Sequence, residues 1–502
     1  MKLGNGFRAI AGILLCAGGL LYSLPTPYHE RTFQIRASGC ELVTTIIEPS
    51  NGAAQGSVVL FHGLSANRKI MSYTARAFAE QGLRVYVPDL PGHGRTPGPF
   101  SPARAEECGE ALLKDLLQHG SITPDRTILA GHSMGAAIAI RVADRVAVKG
   151  VIAVSPAPMR AAHGVYPEAL LFTDPPQLPA NTLVLSGSLE SDTLRGNARE
   201  LFDGSSSNGS KYQVIRGASH VSLLFDPRMA RASQEWAASL LQLERTTVLP
   251  SRSMVLGSLA GFIGLLLIAR PFLQEAIGKR KVEEPATMNA GSGFVRHLLE
   301  FAVICFGAVV ILKYWNPFGA IHVFEADYLA GFLFFTGIVL LLLHRKAVRE
   351  ALKNTAAPVV GAAFASLVLL LLVTAWFDLT INEAWITATK WPRFPILFLA
   401  AFPYHLAEEM LLGTASRWKR WQRLLAGLSV RLIGWLAMLV GLFMLHSGEI
   451  LFLLLGLYLA LFCALQRRGM DVVREGTGSA AAAAVFGAIL LAGFCLVIFP
   501  IT

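Results

Sequence analysis

A serine flanked by glycines stands at Gly131-His132-Ser133-Met134-Gly135, between the apolar run "TILA" and an alanine-rich stretch of helical period. A hydroxyl so placed is a nucleophile for acyl transfer if a base takes its proton and dipoles meet the charge developing on the attacked carbonyl. The glycines fit that use, because a strand turning sharply into a helix leaves no room for a neighbouring Cβ. Met134 opens the helix, so its N–H has no partner inside it and carries the positive end of the helix dipole. Upstream, "LFHGLSAN" ends another apolar run at His62-Gly63. The N–H of Leu64 is then the expected second donor to an oxyanion.

A third strand end, "VPDLPGHGRT" (Val87 to Thr96), closes in a tight glycine-rich turn. Taken with the order of the other motifs, residues Phe33 to Glu244 resemble the α/β-hydrolase superfamily, particularly its monoacylglycerol-lipase-like and serine-aminopeptidase-like branch. The resemblance implies a nucleophile, an acid and a histidine in that order, each beyond the end of a strand. It implies His220 as the base, in the loop of "YQVIRGASHVSLLFDP". His62, His93 and His132 read as structural residues of the motif loops, and His29, His119 and His163 lack a strand-end context. For the acid, the family's Gly-x-x-Asp spacing from Gly187 falls on Glu190, a departure in residue type. Asp192 is the alternative, and whichever is not used is expected to cap the helix starting near Leu194. The implied activity is cleavage of an ester, a lipid or another acyl ester, through an acyl-enzyme and without metal or cofactor. A peptidase of the same fold, a transporter or intramembrane protein with an accessory hydrolase, and a non-catalytic scaffold stand as alternatives.

The elements that must position these residues alternate along the chain. Strands read at "SVVLFHG", "LRVYVPD", "TILAGHS", "GVIAVSP", "TLVLSG" and "YQVIRG", with helices at 69–81, 103–119, 134–145 and 195–202. Such alternation predicts a mostly parallel sheet covered on both faces, and the resemblance implies that it is an α/β-hydrolase fold. The interval Ser155 to Asn181 leaves room for only a short cap, whose "PEALLF" is an apolar patch facing either lipid or core. Cys40 and Cys108, the two cysteines outside apolar runs, are expected as buried free thiols rather than as a pair.

The whole chain is too apolar for an ordinary soluble enzyme: 53% of its 502 residues are hydrophobic and 16% charged. Its net charge of +10 does not imply nucleic acid, because residues 28–250 hold 21 basic against 20 acidic groups. The excess lies in short loops between apolar runs. Those runs, at 9–24 and near 253–269, 297–315, 327–343, 358–377, 395–413, 424–446, 449–465 and 479–500, are long enough to span a bilayer. "RPFLQEAIGKRKVEEP", "HRKAVREALKN", "SRWKRWQR" and "QRRGMDVVREG" are the basic loops, and one topology puts all four inside. The expected organisation is an N-terminal anchor (1–27), an extracytoplasmic hydrolase domain (28–250) and an all-α domain of about eight spans (251–502) in the cell membrane. The expected partners are therefore a lipid bilayer and an acyl-ester substrate.

Within the 395–413 run, His405, Glu408 and Glu409 share one helical face, and ionisable groups in a span are candidate site residues by default. The paired glutamates are similar to those of intramembrane CAAX-type proteases, but Leu412 and Gly413 stand where an arginine is required. The simpler expectation is hydrogen bonding between helices, or carboxylates near Arg417 and Lys419, with His446 as a further partner.

Overall fold

The computed structural model describes residues 2–24, 28–49, 52–157, 178–204, 209–277, 293–324, 326–353, 355–413, 418–445 and 456–502. They form two compact units, each composed of separate stretches of chain. The first comprises Gly19–Leu259, Phe377–Ala384 and Pro500–Thr502; the second comprises Met1–Gly18, Ala260–Trp376 and Trp385–Phe499.

The first unit is built on an eight-stranded sheet. Its strands are β1 (Glu30–Ala37), β2 (Cys40–Ile47), β3 (Ser57–Phe61), β4 (Arg84–Pro88), β5 (Thr127–His132), β6 (Gly150–Val154), β7 (Thr182–Gly187) and β8 (Lys211–Ile215), in the order β1-β2-β4-β3-β5-β6-β7-β8. From β4 to β8 all neighbours are parallel, whereas β1 and β2 form an antiparallel hairpin joined to β4 through β2. This hairpin is absent from the strand runs read in the sequence. Outer strand β1, "ERTFQIRA", is largely exposed, and its apolar alternation is short, confined to Phe33, Ile35 and Ala37. Its turn residues, Ser38 and Gly39, both have positive φ, the geometry of a two-residue hairpin.

Helices α2 (Ser72–Glu80), α3 (Pro102–Gln118), α4 (Met134–Arg145) and α5 (Asp192–Asp203) occupy the expected intervals to within a few residues, and α6 (Pro227–Leu241) follows β8. Alternate strand residues feed two separate cores, as the two-residue period of a strand requires. Val59, Phe61, Leu129 and Val151 pack with Leu112, Ile138 and Ile140 of α3 and α4. Val58, Leu60, Ile128 and Ile152 pack with Phe78 and Met229 of α2 and α6.

Cys40 and Cys108 are not free thiols. They form a disulfide joining β2 to α3, with Cα atoms 5.4 Å apart across 68 residues of sequence. Parallel crossovers brought these distant residues together, which spacing alone does not show. Closing a loop of that length stabilises the fold by about 4 kcal/mol on the chain-entropy model. Replacing both cysteines by alanine should lower the urea midpoint of this unit to match; an unchanged midpoint would refute a stabilising bridge.

The second unit is helical. Among the described residues, eight helices are long and apolar enough to cross a membrane: 4–23, 253–277, 294–314, 326–343, 356–380, 391–413, 421–444 and 480–498. The first, α1 (Lys2–Ser23), packs on α7 (Ser253–Ile277) where Gly12 and Gly264 approach so closely that a Cβ on either would lie 2.6 Å from the other's carbonyl oxygen. Then follow α8 (Phe294–Tyr314), α9 (Ala326–Leu343), α10 (Arg345–Ala351), α11 (Ala356–Thr380), α12 (Phe394–Gly413), α13 (Arg420–Met444), α14 (Gly456–Thr477) and α15 (Ala480–Ile498). The expected 449–465 span begins outside the described residues. Its continuation corrects one reading: "QRRGMDVVREG" is not a loop but part of α14. Arg467 is buried there, with only 1% of its side chain exposed.

Candidate active site

Ser133 joins β5 to α4 with φ 55° and ψ −119°, a conformation that costs a non-glycine residue energy and lifts its side chain off the strand. The surrounding glycines make it possible. A Cβ on Gly131 would stand 2.1 Å from the carbonyl oxygen of Gly135, and one on Gly135 would stand 2.3 Å from that of Phe61. The turn is also tied down by its backbone: Ser133 N–H donates to Val154 O at 2.9 Å, and Ser133 O accepts from Ala157 at 3.0 Å. Gly63, the residue before Leu64, comes close on the other side, its Cβ position 3.2 Å from Ser133 Cβ. Met134 is the first residue of α4, as expected.

The histidine and the acid converge from later strands. His220, in the loop after β8, has Nδ1 2.8 Å from Glu190 Oε1. The Glu190 carboxylate is fully buried, and its Oε2 accepts the N–H of Gly187 at 2.8 Å. Asp192 is elsewhere, with 95% of its side chain exposed, paired to Arg195 in the first turn of α5. It does not cap that helix either; Ser191 does, accepting from Leu194 N.

One member of this cluster escaped the sequence reading. Ser155, directly after β6, is buried, has φ 49°, and hydrogen bonds both Glu190 Oε1 and His220 Nδ1, the latter at 2.8 Å. Its only sequence signal is its place one residue beyond a strand, a signal that needs the strand order to be useful.

His132 braces the base, with its Nε2 2.9 Å from His220 O and the two rings 4.7 Å apart. Burial, followed by the nearby His220, pushes its pKa down to about 3, so this ring is neutral at pH 7. Burial lowers His62 in the same sense. An unfolded chain protonates such rings first, near an ordinary histidine value of about 6.5. The stability they contribute is therefore complete above about pH 6.5 and is lost as pH falls towards the native value. The urea midpoint should drop across that acid range, and His132→Gln, which keeps a donor to His220 O, should flatten the drop. An equal slope in the variant would refute the assignment.

This sheet order, with a strained serine between β5 and α4 and a histidine after the last strand, decides the architecture. The fold is that of the α/β hydrolases. The sequence model of the alpha/beta hydrolase family matches residues 58–287. Esterase YjfP of Escherichia coli (strain K12) is 30% identical over 98 residues, 18% of this chain and 39% of that esterase. The chain thus spans well under half the length of this curated relative. Among solved structures, an alpha-beta serine hydrolase homologue from Coxiella burnetii is 22% identical, covering 42% of this chain and 96% of that one (TM-score 0.34). A monoacylglycerol lipase of Paleococcus ferrophilus is also 22% identical, covering 40% and 99% (TM-score 0.33). The α/β-hydrolase fold and the esterase relative support a hydrolase. The expected cap lies outside the described residues from 158 to 177, including His163 and "PEALLF".

The membrane candidates are brought together in the second unit. On α12, His405 Nδ1 lies 3.0 Å from Glu408 Oε2. Arg417 and His446 lie outside the described residues. Arg431 of α13 donates to Glu408 Oε1 at 2.8 Å and Arg467 of α14 pairs with Glu409. These arginines were missed because, in the sequence, one sits inside an apolar run and the other in an apparent loop. Each buried carboxylate has a cation, the arrangement that makes buried charge tolerable.

The sequence singled out no metal ligands, yet among the described residues His297, Glu300 and His344 are placed so that three donor atoms lie within 4.8 Å of one another. His297 Nδ1 and His344 Nε2 are 3.2 and 3.1 Å from the carboxylate, while His297 Nε2 and His344 Nδ1 are buried without hydrogen-bond partners among the described residues. Metal-bound imidazoles need an acceptor for the outer N–H, whereas rings donating to Glu300 leave only a bare lone pair there. The three side chains form a hydrogen-bonded set around Glu300.

Proposed function

We propose that this protein is a membrane-anchored serine hydrolase that cleaves a lipid or another acyl ester through an acyl-enzyme. The observation that carries it is the buried Glu190 carboxylate holding His220 Nδ1 beside the strained Ser133 turn. Glu190 and Ser155 fix the tautomer in which Nδ1 bears the proton, leaving Nε2 free as a base. Ser133 Oγ attacks the carbonyl carbon as its proton passes to His220 Nε2. The carbonyl π electrons move onto oxygen, which the Leu64 and Met134 N–H groups receive. Collapse breaks the ester C–O bond, and the imidazolium protonates the leaving alcohol. Water then repeats the cycle on the acyl-enzyme, releasing the acid and restoring Ser133.

The α/β unit faces outward in this reading. Three features support that side: the basic-loop topology, the Cys40–Cys108 disulfide, and the clustering with the sheet of 377–384 and 500–502, which begin at the ends of spans that this topology directs outward. The test is rapid mixing of the full chain in detergent or nanodiscs with p-nitrophenyl esters. A p-nitrophenol burst equal to the protein concentration is the expected result. Linear release, unchanged in Ser133→Ala, would overturn the acyl-enzyme.

A further inference from the structure

Resting on that reading, we propose that Glu383 is a positioning residue for hydrolysis, holding the loop 62–69 that carries the Leu64 N–H. Glu383 lies between α11 and α12 in sequence, far from the hydrolase motifs, yet its segment Phe377–Ala384 packs in the same compact unit as the sheet.

The contacts fall on three consecutive residues of the loop. Asn67 Nδ2 donates to Asn382 Oδ1 at 2.5 Å, and Asn67 Oδ1 accepts the Glu383 N–H at 3.3 Å. Arg68 Nη2 donates to Glu383 Oε1 at 2.6 Å, both side chains being almost fully buried. Lys69 Nζ donates to the carbonyl of Asp378 and lies 3.5 Å from Glu383 Oε1. The other Glu383 oxygen accepts from Arg95 Nε at 2.8 Å.

Asp89 completes the network. It accepts from Arg68 N at 2.8 Å and Arg95 N at 3.0 Å, and it pairs with Arg68 Nη1. The neighbouring Leu90 N–H donates to His62 Nε2 at 2.9 Å, at the start of the same loop. The charges balance only with Glu383 present: Arg68, Lys69 and Arg95 face Asp89, Asp378 and Glu383. Without Glu383, the buried Arg68 guanidinium keeps one carboxylate and loses the other. A cation so exposed to low dielectric pulls its loop towards water. Leu64 is four residues from Arg68, and an oxyanion donor displaced by about 1 Å loses much of its effect on rate.

The test uses the full chain in nanodiscs and compares wild type with Glu383→Gln. A displaced donor acts on the transition state, so kcat should fall about 10- to 100-fold with KM within about three-fold. Affinity for a trifluoromethyl ketone, whose tetrahedral adduct needs the same donors, should fall by the same factor as kcat. Glu383→Asp, which keeps the charge on a shorter side chain, should recover part of both, and it supplies the comparison if Glu383→Gln does not accumulate. A merely structural role would lower thermal stability without a parallel loss in kcat and ketone affinity. If wild type hydrolyses esters while the folded variants match it in kcat and ketone affinity, this inference alone is overturned. A wild type that neither hydrolyses esters nor reacts at Ser133 overturns both readings.

Discussion

Ser133→Ala is expected to lower kcat for ester hydrolysis by about 10⁵-fold or more, the scale seen when the nucleophile of a triad is removed. The loss should fall on kcat, not on KM, because the methyl side chain still leaves the oxyanion donors and acyl surface in place. Stability should rise slightly or stay level. At φ 55° the residue is strained for serine and alanine alike, and the described contacts that hold the turn are backbone ones, to Val154 and Ala157. The variant is therefore a clean probe. Steady-state kinetics with a soluble ester and a vesicle-presented monoacylglycerol measure it. Retention of more than about one per cent of kcat on both would mean that the serine is not the nucleophile.

The second large effect separates the two acids. Glu190→Gln is expected to reduce kcat by about 10³- to 10⁴-fold, while Asp192→Asn stays within about two-fold of wild type. The difference follows from placement: Glu190 Oε1 receives His220 Nδ1 at 2.8 Å in a buried pocket, and Asp192 is paired to Arg195 in solvent. An amide at 190 presents either a weaker acceptor or a donor to Nδ1, which favours the tautomer with the proton on Nε2. That tautomer cannot accept the serine proton. Parallel kcat measurements on the two variants decide it, and a larger loss in Asp192→Asn would reverse the assignment.

The local parts of this site were legible in the sequence for physical reasons. Ser133 stood out because its turn can form only with Gly131 and Gly135 around it, a requirement written within five residues. His220 and Glu190 were legible once motif order was used, since a parallel sheet lines up its strand ends in one place. What was not legible depends on convergence over long sequence distances. Ser155 matters only because β6 lies between β5 and β7, and nothing in "VSP" says so. The Cys40–Cys108 pair depends on where α3 crosses the hairpin. In the helical half, hydropathy found most helices but misread charge. Arg467 read as part of a basic loop, whereas it is buried and paired with a glutamate on another helix. Glu383 was hidden most completely, because its partners Arg68 and Arg95 lie about three hundred residues earlier.

The most direct measurement is fluorophosphonate labelling of the full chain, followed by peptide mapping. The expected result is one phosphonyl group per chain on the peptide containing Ser133, absent in Ser133→Ala and strongly slowed in His220→Ala. Absence of any adduct on the folded wild type, or an adduct on a different residue that persists in Ser133→Ala, would contradict the nucleophile assignment and the hydrolytic mechanism built on it.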